Sequence, residues 1–143
     1  MKISETLATE MAELISPYSD KGILMPKTAE EIFKTGENWF PKFDQSGNLL
    51  GFFEYRTHDK TALAEMGSAL VITPGEGVGK CLLQTFNTQK EISAATGGFA
   101  VTKDLKTAYH FFTHLTGGDL SDEEGFPDWF ERVKSDKYFI QWR

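Results

Sequence analysis

The chain has 143 residues, 40% of them hydrophobic and 25% charged, with a net charge of −6. That length suits a single core, and residues 1–143 are read as one domain. The acidic balance without a basic cluster argues against nucleic acid as the main partner, no apolar run approaches the roughly 18 residues of a membrane span, and the single cysteine, Cys81, excludes an internal disulfide framework.

At the N-terminus, Glu5, Glu10 and Glu13 interrupt what would have to be an apolar signal core, so the chain is read as cytoplasmic with no membrane partner. Leu7, Met11, Leu14 and Ile15 recur at helical spacing and predict an amphipathic helix over 4–15. The stretch 16–22, with Pro17 and Gly22, is expected to stop it. Pro26 holds Ile23, Leu24 and Met25 extended. Thr28 with Glu31 reads as a capping box, opening a short helix that turns Ile32 and Phe33 inward and ends at Gly36.

Three strands are expected next: 39–43, then 49–56 after the turn 44–48, then 62–72. Alternation puts Leu63, Glu65, Gly67, Ala69 and Val71 on one face of the third strand. Glu65 is the one charge in that otherwise apolar strand. Desolvation among such neighbours favours the neutral carboxyl, which makes Glu65 a candidate base near neutral pH. An edge-exposed or salt-bridged glutamate is the alternative.

After the third strand comes Thr73-Pro74-Gly75-Glu76-Gly77-Val78-Gly79-Lys80, followed by a predicted helix over 79–91. Alternate glycines between a strand and a helix make a loop whose N–H groups can turn toward an anion, with the helix N-terminus adding partial positive charge. A plain glycine-rich turn is the alternative. A Walker loop is excluded, because Pro74 stands at its first position and Cys81 at its last. The dinucleotide fingerprint fails because Lys80 takes the place of its third glycine.

Residues 97–102 read as a strand, 104–115 as a helix ended by Gly117 and Gly118, and 119–125 as an acidic loop. A weakly structured stretch follows over 126–133, and 138–142 is the last strand. His110 and His114 share a helix face, but no third ligand is placed with them, so no metal site is assigned. Cys81 reads as a small buried hydrophobe. The order of parts predicts an α+β or α/β fold with a mixed sheet.

That order resembles the GNAT N-acetyltransferase family, and within it the amino-acid acetyltransferase group that includes N-acetylglutamate synthase. The residues that carry the likeness are Pro74-Gly75-Glu76-Gly77-Val78-Gly79 in the frame of the family's acetyl-CoA motif, 22–28, Ala64-Glu65, 99–102 and 111–115. The likeness spans roughly residues 5–131. Pro74 departs from the Gln or Arg usual there, the loop is shorter before Gly75, and Phe112 stands where many members have Tyr.

The resemblance implies a mostly antiparallel central sheet flanked by helices, and acetyl transfer from acetyl-CoA to a small-molecule primary amine. The pyrophosphate would rest on Gly75, Gly77, Val78, Gly79 and Lys80, and the pantetheine arm would run beside Leu70, Val71 and Ile72. Glu65 would take a proton from the amine, while Lys27, Arg56 or Lys103 would pair with a substrate carboxylate. It admits a homodimer. The shortened loop, Pro74 and Phe112 motivate another reading, an acyl-CoA-binding or protein-interaction domain without catalysis, while the acidic 119–124 loop and the net charge suit transfer to a peptide or polyamine.

Overall fold

The structure, a computed structural model, describes residues 3–57, 62–103, 116, 119–120 and 138–143. The expected helix over 104–115, with His110, His114 and Phe112, lies outside the described residues, as do 121–137. In chain order the elements are α1 (Glu5–Asp20), α2 (Ala29–Lys34), a 3-10 turn (Gly36–Asn38), β1 (Trp39–Phe43), β2 (Leu49–Thr57), β3 (Leu63–Val71), α3 (Val78–Ile92), β4 (Gly97–Thr102), β5 (Asp119–Leu120) and β6 (Tyr138–Trp142). Among the described residues they form an α/β fold with one mixed sheet, in the order β1-β2-β3-β4-β6-β5. Pairing is antiparallel in β1–β2, β4–β6 and β5–β6, and parallel in β3–β4. Asp119 and Leu120, expected in a loop, are strand residues opposite Gln141 and Ile140.

The chain forms two compact units, Met1–Tyr55 with Ser68–Thr85, and Arg56–Gly67 with Phe86–Arg143. In the first, Ser4 caps α1 by accepting from the Leu7 N–H at 3.1 Å. Met11 and Ile15 face the core as the spacing predicts, joined by Ala8, while Leu7 and Leu14 are partly buried. Ile3, Ile32, Trp39, Leu49, Phe52 and Leu70 complete the cluster.

Two expectations fail here. α1 runs through Pro17 to Asp20 instead of stopping at Ser16. Pro17 and Glu13 are both exposed, so water can serve the carbonyl that the missing N–H abandons. The helix ends instead at Gly22, whose φ of 72° supports two closing bonds, Gly22 N–H to Ser19 O and Ile23 N–H to Tyr18 O, both 2.9 Å. Phe33 is 39% exposed, because on a helix of six residues the neighbouring Ile32 takes the inward position. The capping box is present: Thr28 Oγ1 accepts from the Glu31 N–H at 3.1 Å, and Glu31 accepts from the Thr28 N–H at 3.3 Å. Those bonds hold the Glu31 carboxyl below its ordinary pKa.

In the second unit Phe86, Phe99, Ala100, Ile140 and Trp142 are buried. The Phe86 and Trp142 rings lie 5.5 Å apart, and the indole N–H donates to Asn87 Oδ1 at 3.2 Å. Gly98 makes this possible, since a Cβ there would stand 2.7 Å from Phe86 and 2.9 Å from Trp142.

Candidate functional site

The loop over 73–77 is exposed throughout. Gly75 and Gly77 take φ of 90° and 78°, the left-handed region in which a side chain is strained. A Cβ at either position would meet nothing within 4 Å, so the space beside the backbone is open to a ligand. The Gly77 carbonyl accepts from the Cys81 N–H at 3.2 Å, which makes it the first acceptor of α3. The N–H groups of Val78, Gly79 and Lys80 therefore fall in the first turn, where a helix offers them no carbonyl of its own. Gly79, grouped with the loop glycines by sequence, lies inside α3.

The helix start is anchored beneath. Val78, Leu82, Leu83 and Phe86 are buried, and Val78 and Leu82 pass over Gly51 of β2. A Cβ on Gly51 would stand 2.6 Å from the Leu70 carbonyl oxygen and 3.2 Å from Val78. Leu70 is buried, Val71 half-buried and Ile72 exposed, and the Ile72 N–H bonds the Leu50 carbonyl at 3.0 Å. Lys80 is exposed. Cys81 is exposed too, against expectation, because α3 turns positions 78, 82, 83 and 86 inward and leaves 81 outside that stripe.

Glu65 is buried on β3, opposite Phe99 of β4. Its Oε2 accepts from Arg56 Nη1 at 3.3 Å, so it is at once a carboxylate among apolar residues and one member of an ion pair. The two sequence alternatives are not exclusive. Lys27 lies 3.7 Å from Glu54 Oε1, and Lys103 is exposed at the end of β4. Of the three cations expected at a substrate carboxylate, two thus face glutamates of this chain. Glu54, 6% exposed on β2, was not singled out. The signal was available, since Glu54 interrupts Phe52, Phe53 and Tyr55 much as Glu65 interrupts its own strand. Ser68 takes φ of 48° within β3, so the strict alternation expected along that strand is broken after Gly67. Among the described residues no cluster of His, Cys, Asp and Glu could hold a metal, and no helix is long and apolar enough to cross a membrane.

No protein-family model matches the sequence, and no curated protein matches it. Solved structures do. N-acetylglutamate synthase from Neisseria gonorrhoeae, complexed with coenzyme A and N-acetyl-glutamate, aligns at a TM-score of 0.81 and 18% identity, over 94% of this chain and 32% of that one. Rv2747 from Mycobacterium tuberculosis, in complex with CoA, aligns at 0.81 and 12% identity, over 99% and 96%. A GNAT superfamily phosphinothricin acetyltransferase from Sinorhizobium meliloti, in complex with AcCoA, aligns at 0.73 and 17% identity, over 99% and 85%. The chain spans about a third of the length of the gonococcal synthase, which is 32% covered. The fold is that of the GNAT acetyltransferases.

Proposed function

We propose that the chain is an acetyl-CoA-dependent N-acetyltransferase acting on the primary amine of a small molecule, with an amino acid as the favoured acceptor. The observation that carries this reading is the open loop at the start of α3, where Gly75 and Gly77 bare the backbone beside a helix N-terminus. The CoA and AcCoA bound to its structural neighbours support it. In this reading the N–H groups of 75–80 receive the pyrophosphate, and the backbone of Leu70, Val71 and Ile72 receives the pantetheine arm as an added strand would be received. A backbone N–H of Leu70 or Val71 polarises the thioester carbonyl. Glu65 takes one proton from the ammonium. The freed nitrogen attacks the carbonyl and gives up its second proton as the C–S bond breaks, and the departing CoA thiolate takes that proton and leaves as the thiol. Lys103, Lys27 or Arg56 meets a substrate carboxylate, each by giving up the contact it makes within the chain.

A thiol-release assay with acetyl-CoA and a panel of amino acids, polyamines and peptides tests this. Turnover with at least one amine is expected. The Glu65→Gln variant should lose most turnover while still binding CoA by calorimetry, and full activity in it removes Glu65 from the mechanism. A second reading, a CoA-binding domain without catalysis, is favoured by Pro74 and Glu76, which bring no donor side chain and one negative charge to the loop. It predicts CoA binding and no thiol release on any amine.

A further inference from the structure

Gly67 stands on β3 two positions beyond Glu65. A Cβ built on it would lie 2.6 Å from Arg56 Cζ, 2.8 Å from Nε and 2.8 Å from Nη1. The guanidinium thus occupies the volume in which any other residue 67 would carry its side chain. Gly67 is not among the glycines with positive φ, so backbone conformation does not call for glycine there. Its missing side chain serves space. From that space Nη1 reaches Glu65 Oε2 at 3.3 Å, with 21% of the Arg56 side chain exposed and 10% of the Glu65 side chain. Neighbours, not solvent, therefore set the geometry of the pair, which is the condition under which a charge-assisted hydrogen bond fixes a rotamer.

The geometry points to Gly67 and Arg56 as positioning residues for Glu65. The glycine forms a seat, the guanidinium fills it, and the seated guanidinium orients the carboxylate. This rests on the reading of Glu65 as the base. It takes Arg56 away from the substrate carboxylate and gives it a partner within the chain. It also assigns a role to a glycine that sequence alternation treats as one more apolar position.

Gly67→Ala tests the seat without removing either charge, because the three atoms nearest the added methyl all belong to the guanidinium. We expect Gly67→Ala and Arg56→Met each to lower kcat about tenfold, the scale of one charged hydrogen bond, with KM for acetyl-CoA unchanged. The double variant should be no slower than Arg56→Met, and Arg56→Lys should recover part of the loss. A second measurement needs no turnover: a urea-denaturation cycle on Arg56→Met and Glu65→Gln should show coupling between the two in the wild-type background and none with Ala at 67. Should Arg56→Met not fold, Gly67→Ala and Arg56→Lys still decide the matter. Wild-type kcat in Gly67→Ala, multiplying losses in the double variant, or absent coupling would each overturn the seat. Full turnover in Glu65→Gln with the coupling intact would instead sink the base assignment and leave the seat standing.

Discussion

Lys90 is 7% exposed in the last turn of α3, and its burial pushes the ammonium below its ordinary pKa, partly offset by the charge of Glu91. A group whose native pKa is depressed binds fewer protons when folded, so stability rises with pH between the native value and the ordinary one. Below that window the native state carries a desolvated charge. Lys90→Met should therefore raise the urea midpoint at pH 7, and the advantage should shrink as the pH climbs toward 10. An unchanged midpoint at pH 7 would mean that the chain around Lys90 compensates the charge fully. At this scale the sequence is a poor guide. Lys90 follows Gln89 and precedes Glu91 as any surface lysine might, and only the packed helix sets its depth. Glu65 was legible because it interrupts an apolar strand. Its partner was not, since nothing in the order of residues shows a guanidinium folded over Gly67.

At the scale of elements, helix ends decide more than helix interiors. α1 and α3 close in the same way. The Ala95 N–H bonds the Lys90 carbonyl at 3.0 Å and the Ala94 N–H bonds the Glu91 carbonyl at 3.1 Å, the pattern that Gly22 completes on α1. On α3, however, the left-handed position is held by Ala94, at φ 57°. An alanine there bears a steric cost that glycine avoids. Ala94→Gly should stabilise the protein by about 1 kcal/mol, read as a higher midpoint in thermal or urea denaturation; a lower midpoint would show that the cap is not strained. The strand limits and the cap at Thr28 were legible because period-2 runs and cap residues are local signals, whereas Ser4, read as the first residue of the helix, proves to be its cap. The end of α1 was not. Pro17 reads as a stop, yet its exposed face lets the helix run on to a glycine five residues later. Phe33 and Cys81 were misplaced for one shared reason: helical phase is fixed by which positions the packed face turns inward, and residue type alone does not show on which side of that face a position falls.

At the scale of the whole molecule, the fold is the best-supported feature. A mixed sheet and a glycine loop leading into α3 were expected from the order of parts and are present, and the β3–β4 pair proves parallel. The chemistry rests on fewer residues. Gly75 and Gly77, like Gly47 in the β1–β2 turn, are positions where the backbone itself demands glycine in open space, and these two lie in the loop that the proposed function needs. The most direct test is a calorimetric titration of CoA into the wild-type protein and into Gly77→Asp. The variant side chain has room, since nothing lies within 4 Å, and aspartate tolerates positive φ better than most residues, but it sets a carboxylate where the pyrophosphate should rest. Saturable CoA binding to the wild type is expected, weakened about tenfold or more in a variant that stays folded at the titration temperature, although the strained φ lowers its melting point. Equal affinity in the two proteins, or no binding to the wild type at all, would contradict the proposed CoA site.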